Sequence, residues 1–218
     1  MKLAVCMYGS IRTFVDPKLR EKYKLNFTKS ISNLGEYDVF VLLIRQANGV
    51  NHRSRLHENC KLTKQDLEAM LIDIFGKKLT YFKVYDNNDS LFPTKSEHAK
   101  QLWGIDEVFF TANKHDYYDF FVRIRPDFYW HQSFDHTVLN QTHVVTSIKS
   151  DAPASDMFFI ISKQLYNDWW VKTISQLKYT LTDCIEYTIF KNVRKLQHHQ
   201  IHSSLMRNNN EKMIDTWN

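Results

Sequence analysis

Cysteine, glycine and proline are all scarce in this sequence. Its three cysteines, Cys6, Cys60 and Cys184, are odd in number and widely spaced, so they suggest neither a disulfide framework nor a zinc site. A reducing compartment is the expectation. Five glycines and four prolines in 218 residues exclude collagen-like and linker-dominated architectures. Long apolar runs are missing too. The longest, Tyr37 to Ile44, is strand-sized and far below the ~18 residues that span a bilayer. The first ten residues, MKLAVCMYGS, hold neither a long apolar core nor a small-residue cleavage site, and read as a strand rather than a signal peptide. Lys+Arg is 29 against 24 Asp+Glu, a modest formal excess of +5.

Apolar residues, at 43%, and aromatics, at 14%, are too many for a disordered chain. The length suits one domain over residues 1–218, either a whole protein or the first domain of a longer one. Lys2 to Tyr8 reads as a buried strand turning at Gly9-Ser10. Asp16-Pro17 is an N-cap with proline at the first helical position, opening a helix to about Asn33. Tyr37 to Ile44 lacks polar alternation, as a strand covered on both faces should. Residues 45–58 read as a basic loop. Thr63 and Asp66 form a capping-box-like start for a helix to Phe75, closed by Gly76, with Leu67, Met70, Leu71, Ile74 and Phe75 on one face.

Beyond it the pattern predicts a strand over 79–85, a helix from Thr94 to about Lys114, and strands over 118–124, 143–148 and 157–162. Helices follow over 163–177 and 182–196, and the chain past Gln197 is polar. Alternating strands and helices predict an α/β fold with a mostly parallel sheet. Ligands of such sheets sit outside the carboxyl ends of the strands, so strand-end residues are the candidates.

Four clusters stand there. In Tyr8-Gly9-Ser10-Ile11-Arg12, the glycine allows close backbone approach and the arginine suits a phosphate, although a plain turn explains the same residues. In Arg123-Ile124-Arg125-Pro126-Asp127, two arginines at i and i+2 project from one strand face, and proline then ends the ladder. Asp127 can hold a divalent ion on a diphosphate or simply orient the arginines. The loop from Ser150 to Asp156 carries Asp151 and Asp156, either of which can meet a substrate hydroxyl or cap a turn. Glu186 is a helix-start acid or a site acid. His198, His199 and His202 lack neighbouring ligands at metal spacing, and read as a solvated stretch. There is no GxxxxGK[ST], GxGxxG, GxSxG or HExxH motif, so P-loop, dinucleotide, hydrolase-elbow and zincin chemistries have no support.

In order, GSIRTF, YDVFV, YYDFFVRIRPDFYW and SDMFFIISKQLYNDW resemble segments of nucleotide-sugar glycosyltransferases of the GT-A fold, including small ones encoded by large DNA viruses of the chlorella-virus type. The resemblance runs from about Lys2 to Lys195. It implies a GT-A-like, mostly parallel central sheet flanked by helices, with a Rossmann-like nucleotide-binding half. The implied activity is transfer of a hexose or deoxyhexose from a UDP-sugar donor to a glycan or glycoprotein acceptor in the cytoplasm, host cytoplasm if viral, without a membrane span or nucleic acid.

By position, Asp127 matches the second acid of the family's DxD and would hold Mn²⁺ or Mg²⁺. Arg125 replaces the first acid, which puts strict metal dependence in question. Tyr8, Gly9, Ser10, Arg12, Arg123 and Arg125 would bind the nucleotide donor. Asp156, then Asp151 and Glu186, would serve as catalytic acids. The alternatives are a nucleic-acid-binding domain, whose binding would weaken steeply with salt, a metal-dependent nuclease using Asp127 and Asp156, or a non-catalytic α/β binding domain.

Overall fold

A computed structural model describes residues 1–45, 62–86, 96–131, 133, 136–147, 155–178, 185–190, 196–199, 203–205 and 214–215. Within it the apolar N-terminus forms β1 (Lys2–Ser10), which runs through a short α1 (Arg12–Val15) into α2 (Pro17–Ile31). The α2 start is as the sequence predicts: the Asp16 carboxylate accepts from the Lys18 and Leu19 amides at 2.8 and 3.2 Å. β2 (Glu36–Arg45) follows, with Val39 to Leu43 wholly buried. The capping box at Thr63 and Asp66 forms in full and starts α3 (Lys64–Phe75). Its Leu67, Leu71, Ile74 and Phe75 are buried, and Met70 packs at their margin. Gly76 ends the helix at φ 55°, where a Cβ would be strained.

The chain continues through β3 (Leu79–Asp86), α4 (Glu97–Asn113), β4 (Phe120–Ile124), β5 (Phe128–Trp130), β6 (Val144–Ser147) and β7 (Phe158–Ser162). The predicted helix over 163–177 is present as α5 (Lys163–Leu165), a π-helical stretch (Tyr166–Ile174) and α6 (Ser175–Leu177). Trp170 in the π stretch is buried, with its indole N–H donating to Asp106 at 2.8 Å.

Two expectations fail at the C-terminal end. Of the predicted helix over 182–196 the described residues show α7 (Ile185–Phe190), but Leu196, its expected end, opens a strand, β8 (Leu196–His199). β8 pairs in parallel with β6, so the open hydrogen-bonding edge of β6 prevails over helical spacing. The stretch past Gln197, read as polar, also contributes β9 (Ser203–Leu205) and β10 (Ile214–Asp215). With β5, which the sequence reading left unassigned, they make a second sheet of order β10-β9-β5. The predicted loop over 45–58, the link between the predicted strand over 79–85 and the helix from Thr94, and Cys60, Asp151, Cys184 and His202 lie largely or wholly outside the described residues.

The main sheet has the order β3-β2-β1-β4-β7-β6-β8. Four of its six pairings are parallel, and the two made by β7 are antiparallel. This is the expected α/β class. On one face, Leu3, Val5 and Met7 of β1 pack with Tyr23 and Phe27 of α2 and Leu67 and Leu71 of α3. On the other, Ala4, Cys6 and Tyr8 pack with Leu102 and Phe109 of α4 and with Trp170. Burying one such leucine or phenylalanine is worth about 1.5–3 kcal/mol, so the two faces together hold the sheet between its helical layers. Burial also pushes the Cys6 thiol well above its ordinary pKa, consistent with a packing role for that side chain.

Candidate active site

The strand order reverses at β1. From β1 the chain steps outward to β2 and β3, then returns to place β4 on β1's other side. That reversal opens a crevice between the carboxyl ends of β1 and β4, where ligands of α/β sheets bind. Gly9 lies on its β1 side at φ 154°, and a Cβ there would sit 2.7 Å from Pro126 Cδ on the β4 side. Only glycine lets the two strand ends approach this closely. The Gly9-Ser10 turn expected to hug a ligand is therefore also the contact that closes the crevice floor.

β4 contributes the arginines. Its ladder ends at Ile124, as Pro126 requires, so Arg123 is held in the sheet while Arg125 lies just beyond it. The shared face expected for the pair does not extend to shared partners. Arg123, 1% exposed, donates from Nη1 to the Tyr8 carbonyl at 2.8 Å and to the Ile124 carbonyl. Its guanidinium carbon lies 5.8 Å from the centre of the Tyr8 ring. Burial lowers its pKa to about 10, against the supporting charges of Asp156 and Asp127, so it stays a cation at neutral pH. Its Nε is buried with no hydrogen-bond partner.

Arg125 turns to Asp127 instead, with Nε to Oδ1 and Nη2 to Oδ2 both at 2.9 Å. Asp127 is 2% exposed. With both of its oxygens on one guanidinium, Asp127 orients Arg125 at the crevice. Among the described residues, Asp127 is the one carboxylate placed to hold a divalent ion here, and it would do so alongside Arg125, which already occupies one acceptor site on each of its oxygens. Among the described residues no group of three or more His, Cys, Asp or Glu forms an all-protein metal site, so a cation here would take the rest of its shell from a diphosphate and water.

Asp156 arrives from the opposite direction. Because β7 is antiparallel to β4, with Phe158 opposite Ile124, the segment entering β7 reaches the edge that β4 leaves. The Arg125 amide donates to the Met157 carbonyl at 3.1 Å and ties the two segments together. Asp156 is 3% exposed and accepts a short hydrogen bond from Gln101 of α4. Upstream, the Thr146 hydroxyl accepts from the Ser155 amide at 3.2 Å and fixes the entry into β7.

The structure therefore brings together Tyr8, Gly9, Ser10, Arg123, Arg125, Asp127 and Asp156. Arg12 lies in α1, just past the β1 turn, and Glu186 in α7; only their backbones are described. Asp151 is outside the described residues.

Three residues that the sequence reading passed over belong to this edge. Gln101 holds Asp156. Gly104 gives Tyr8 its room, since a Cβ there would fall 2.0 Å from the ring, and the Tyr8 hydroxyl donates to the Lys100 carbonyl at 3.0 Å. Tyr23 of α2 has a buried hydroxyl with no partner, and burial and the charge of Asp127 both raise its pKa. None carries a sequence signal: a glutamine, a glycine and a tyrosine within helices are ordinary until the helices are packed.

No known protein family matches the sequence, and no curated protein does. Among solved structures, the chain is similar to a glycosyltransferase involved in the glycosylation of the major capsid of PBCV-1. The identity is 10%, covering 92% of this chain and 83% of that one, with a TM-score of 0.49. It is also similar to S. aureus TarS at 10% identity, covering 92% of this chain but 35% of that one, with a TM-score of 0.45.

Proposed function

We propose that this chain is a glycosyltransferase moving a hexose or deoxyhexose from a nucleoside-diphosphate donor, UDP-linked by the sequence resemblance, to a glycan hydroxyl. The observation that supports it most is the meeting of two arginines and two carboxylates with the Gly9 turn at the sheet's switch point. Guanidinium groups match the oxygens of a diphosphate, and a glycine turn lets backbone amides approach them.

In this reading the donor lies with its base toward Tyr8 and its diphosphate against the Gly9-Ser10 turn, Arg12 and Arg125. Charge grows on the diphosphate as the bond from the sugar's anomeric carbon to the phosphate oxygen breaks. Arg125, already aimed by Asp127, neutralises that charge without reorganising, and the buried charge of Arg123 stands behind it. Asp156, oriented by Gln101, takes the proton of the acceptor hydroxyl as its oxygen bonds to the anomeric carbon. The electrons of the broken bond leave with the nucleoside diphosphate. Asp151 and Glu186 are the further candidates for the base.

A thermal-shift series with UDP and UDP-sugars, each with and without Mn²⁺, tests the reading. A ligand that binds only the folded chain adds about 2.7 kcal/mol of stability at a hundredfold excess over its Kd. Stabilisation by UDP with little change on adding Mn²⁺ is expected from the arginine arrangement. A strict Mn²⁺ requirement would mean that a cation also engages the Asp127 carboxylate. No response to any nucleotide would overturn the transferase.

A further inference from the structure

A second concave site lies outside the strand-edge crevice. α2 and β5 enclose a groove of about 280 Å³. One wall is a face of α2 carrying Lys22, Asn26 and Lys29, and the other carries Tyr129, His131 and Ser133. Among the described residues, no carboxylate lines it.

Its construction is rigid. The Asn26 side chain donates to the Trp130 carbonyl at 2.6 Å and accepts from the Trp130 amide at 2.9 Å, as a neighbouring strand would. β9 pairs with the other edge of β5. Trp130 is buried, and Tyr129 in β5 and His131 just past its end have ring centres 5.5 Å apart.

Lys22 and Lys29 are exposed and are seven residues apart, two helical turns or about 10 Å along the axis. Neither makes an ion pair among the described residues, whereas Lys24 on the neighbouring face is paired with Asp73 at 2.9 Å. The groove therefore combines two uncommitted ammonium groups with amide and hydroxyl groups and a half-buried aromatic ring. Cations select an anion, and an aromatic face with small polar groups suits the C–H face and hydroxyls of a sugar. A half-open groove of this volume suits a small saccharide.

We propose that this groove binds an anionic saccharide, with its phosphate or carboxylate between Lys22 and Lys29 and its ring on Tyr129. Tyr129 lies two residues beyond Asp127, which stands in the turn between β4 and β5, so the groove and the Asp127 side of the crevice are joined by a short stretch of chain. The groove is then the acceptor's outer subsite. That role rests on the transferase reading, whereas the binding itself does not.

Calorimetric titration of the full chain tests it, with saturating UDP present so that the crevice does not compete. The probes are glucose 6-phosphate, glucuronate, glucose and inorganic phosphate. One of the two anionic sugars is expected to bind about tenfold or more tighter than both glucose and inorganic phosphate, and which one does so identifies the anion. The double variant Lys22→Gln/Lys29→Gln, exposed and not expected to alter the fold, should weaken that binding at least about tenfold. Tyr129→Ala should weaken the sugar phosphate or uronate but not inorganic phosphate. Equal binding by wild type and double variant, or no preference for an anionic sugar, would overturn the proposal. Tighter, lysine-dependent binding of a single-stranded RNA oligomer would overturn it in favour of nucleic acid. UDP binding is read separately: loss of the donor response with the groove intact removes the acceptor role and the transferase, not the site.

Discussion

Asp127 accepts two parallel hydrogen bonds from Arg125, Nε to Oδ1 and Nη2 to Oδ2, at 2.9 Å each. The carboxylate is buried and the arginine side chain is 23% exposed, so the pair has an anchored end and an end open to a ligand. Arg125→Ala removes the exposed end, and a charge-assisted contact of about 1.5–3 kcal/mol converts to a ten- to hundredfold weaker UDP affinity. Arg125→Lys does not rescue it, because an ammonium cannot engage both carboxylate oxygens in a fork. Asp127→Asn keeps the shape but loses one acceptor, and a smaller loss of UDP affinity is expected. Calorimetry with UDP measures all three. Unchanged affinity in Arg125→Ala would move the diphosphate elsewhere.

Asp156 and Gln101 divide differently between binding and chemistry. Asp156→Asn should lower kcat by about a hundredfold to ten-thousandfold, the usual range for a general base, while leaving UDP affinity intact. Gln101→Ala should lower kcat more modestly, since it only frees Asp156 to move. Single-turnover rates measured beside UDP titrations separate the two effects. A normal rate in Asp156→Asn would pass the base role to Asp151 or Glu186.

Two glycines are expected to resist alanine. Gly9→Ala puts a Cβ 2.7 Å from Pro126 Cδ at a φ of 154°, which should cost about 1–3 kcal/mol and spread the crevice. Gly104→Ala drives a Cβ into the Tyr8 ring at 2.0 Å, with an overpacking cost of about 1–3 kcal/mol. Urea unfolding checks both. Gly76→Ala is the comparison: a Cβ there meets nothing within 4 Å, so only the strain of its φ of 55° remains.

The α3 cap should show in the acid dependence of stability. Hydrogen bonds from the Thr63 hydroxyl and amide hold the Asp66 carboxyl below its ordinary 3.8. A depressed folded value means that the stabilisation is complete above pH 3.8 and is lost as the pH falls through the lower, folded value. Asp66→Asn should therefore flatten the acid limb of stability and leave the neutral region little changed in slope. Urea midpoints across the acid range give the comparison, and an unaltered limb would detach Asp66 from it.

Local signals predicted local structure well. Asp16-Pro17, the Thr63–Asp66 box and Gly76 begin or end helices as expected, because capping requires only residues within a turn of one another. The unbroken apolar run of β2 likewise announced a strand buried on both sides. The C-terminal strands were hidden for the opposite reason. Leu196–His199 has no strand pattern of its own and becomes β8 by pairing with β6, some fifty residues earlier in the chain.

The site divides along the same line. Gly9, Arg123, Arg125, Asp127 and Asp156 could be named from the sequence, since each stands at the end of a legible strand. Their chemistry as a group could not. That Asp127 orients Arg125 depends on where Pro126 releases Arg125 from the ladder. Whether Asp156 shares their edge depends on β7 running antiparallel to β4, and Gln101 and Gly104 enter only through the packing of α4. By itself the sequence determined most of the strands and helices up to Leu177 and which residues cap and end them, because those outcomes follow from short-range sterics and hydrogen bonding. Only the tertiary structure decided which strand ends face one crevice and which charges pair there, because these depend on strand order and direction, set by long-range pairing and burial of the whole sheet.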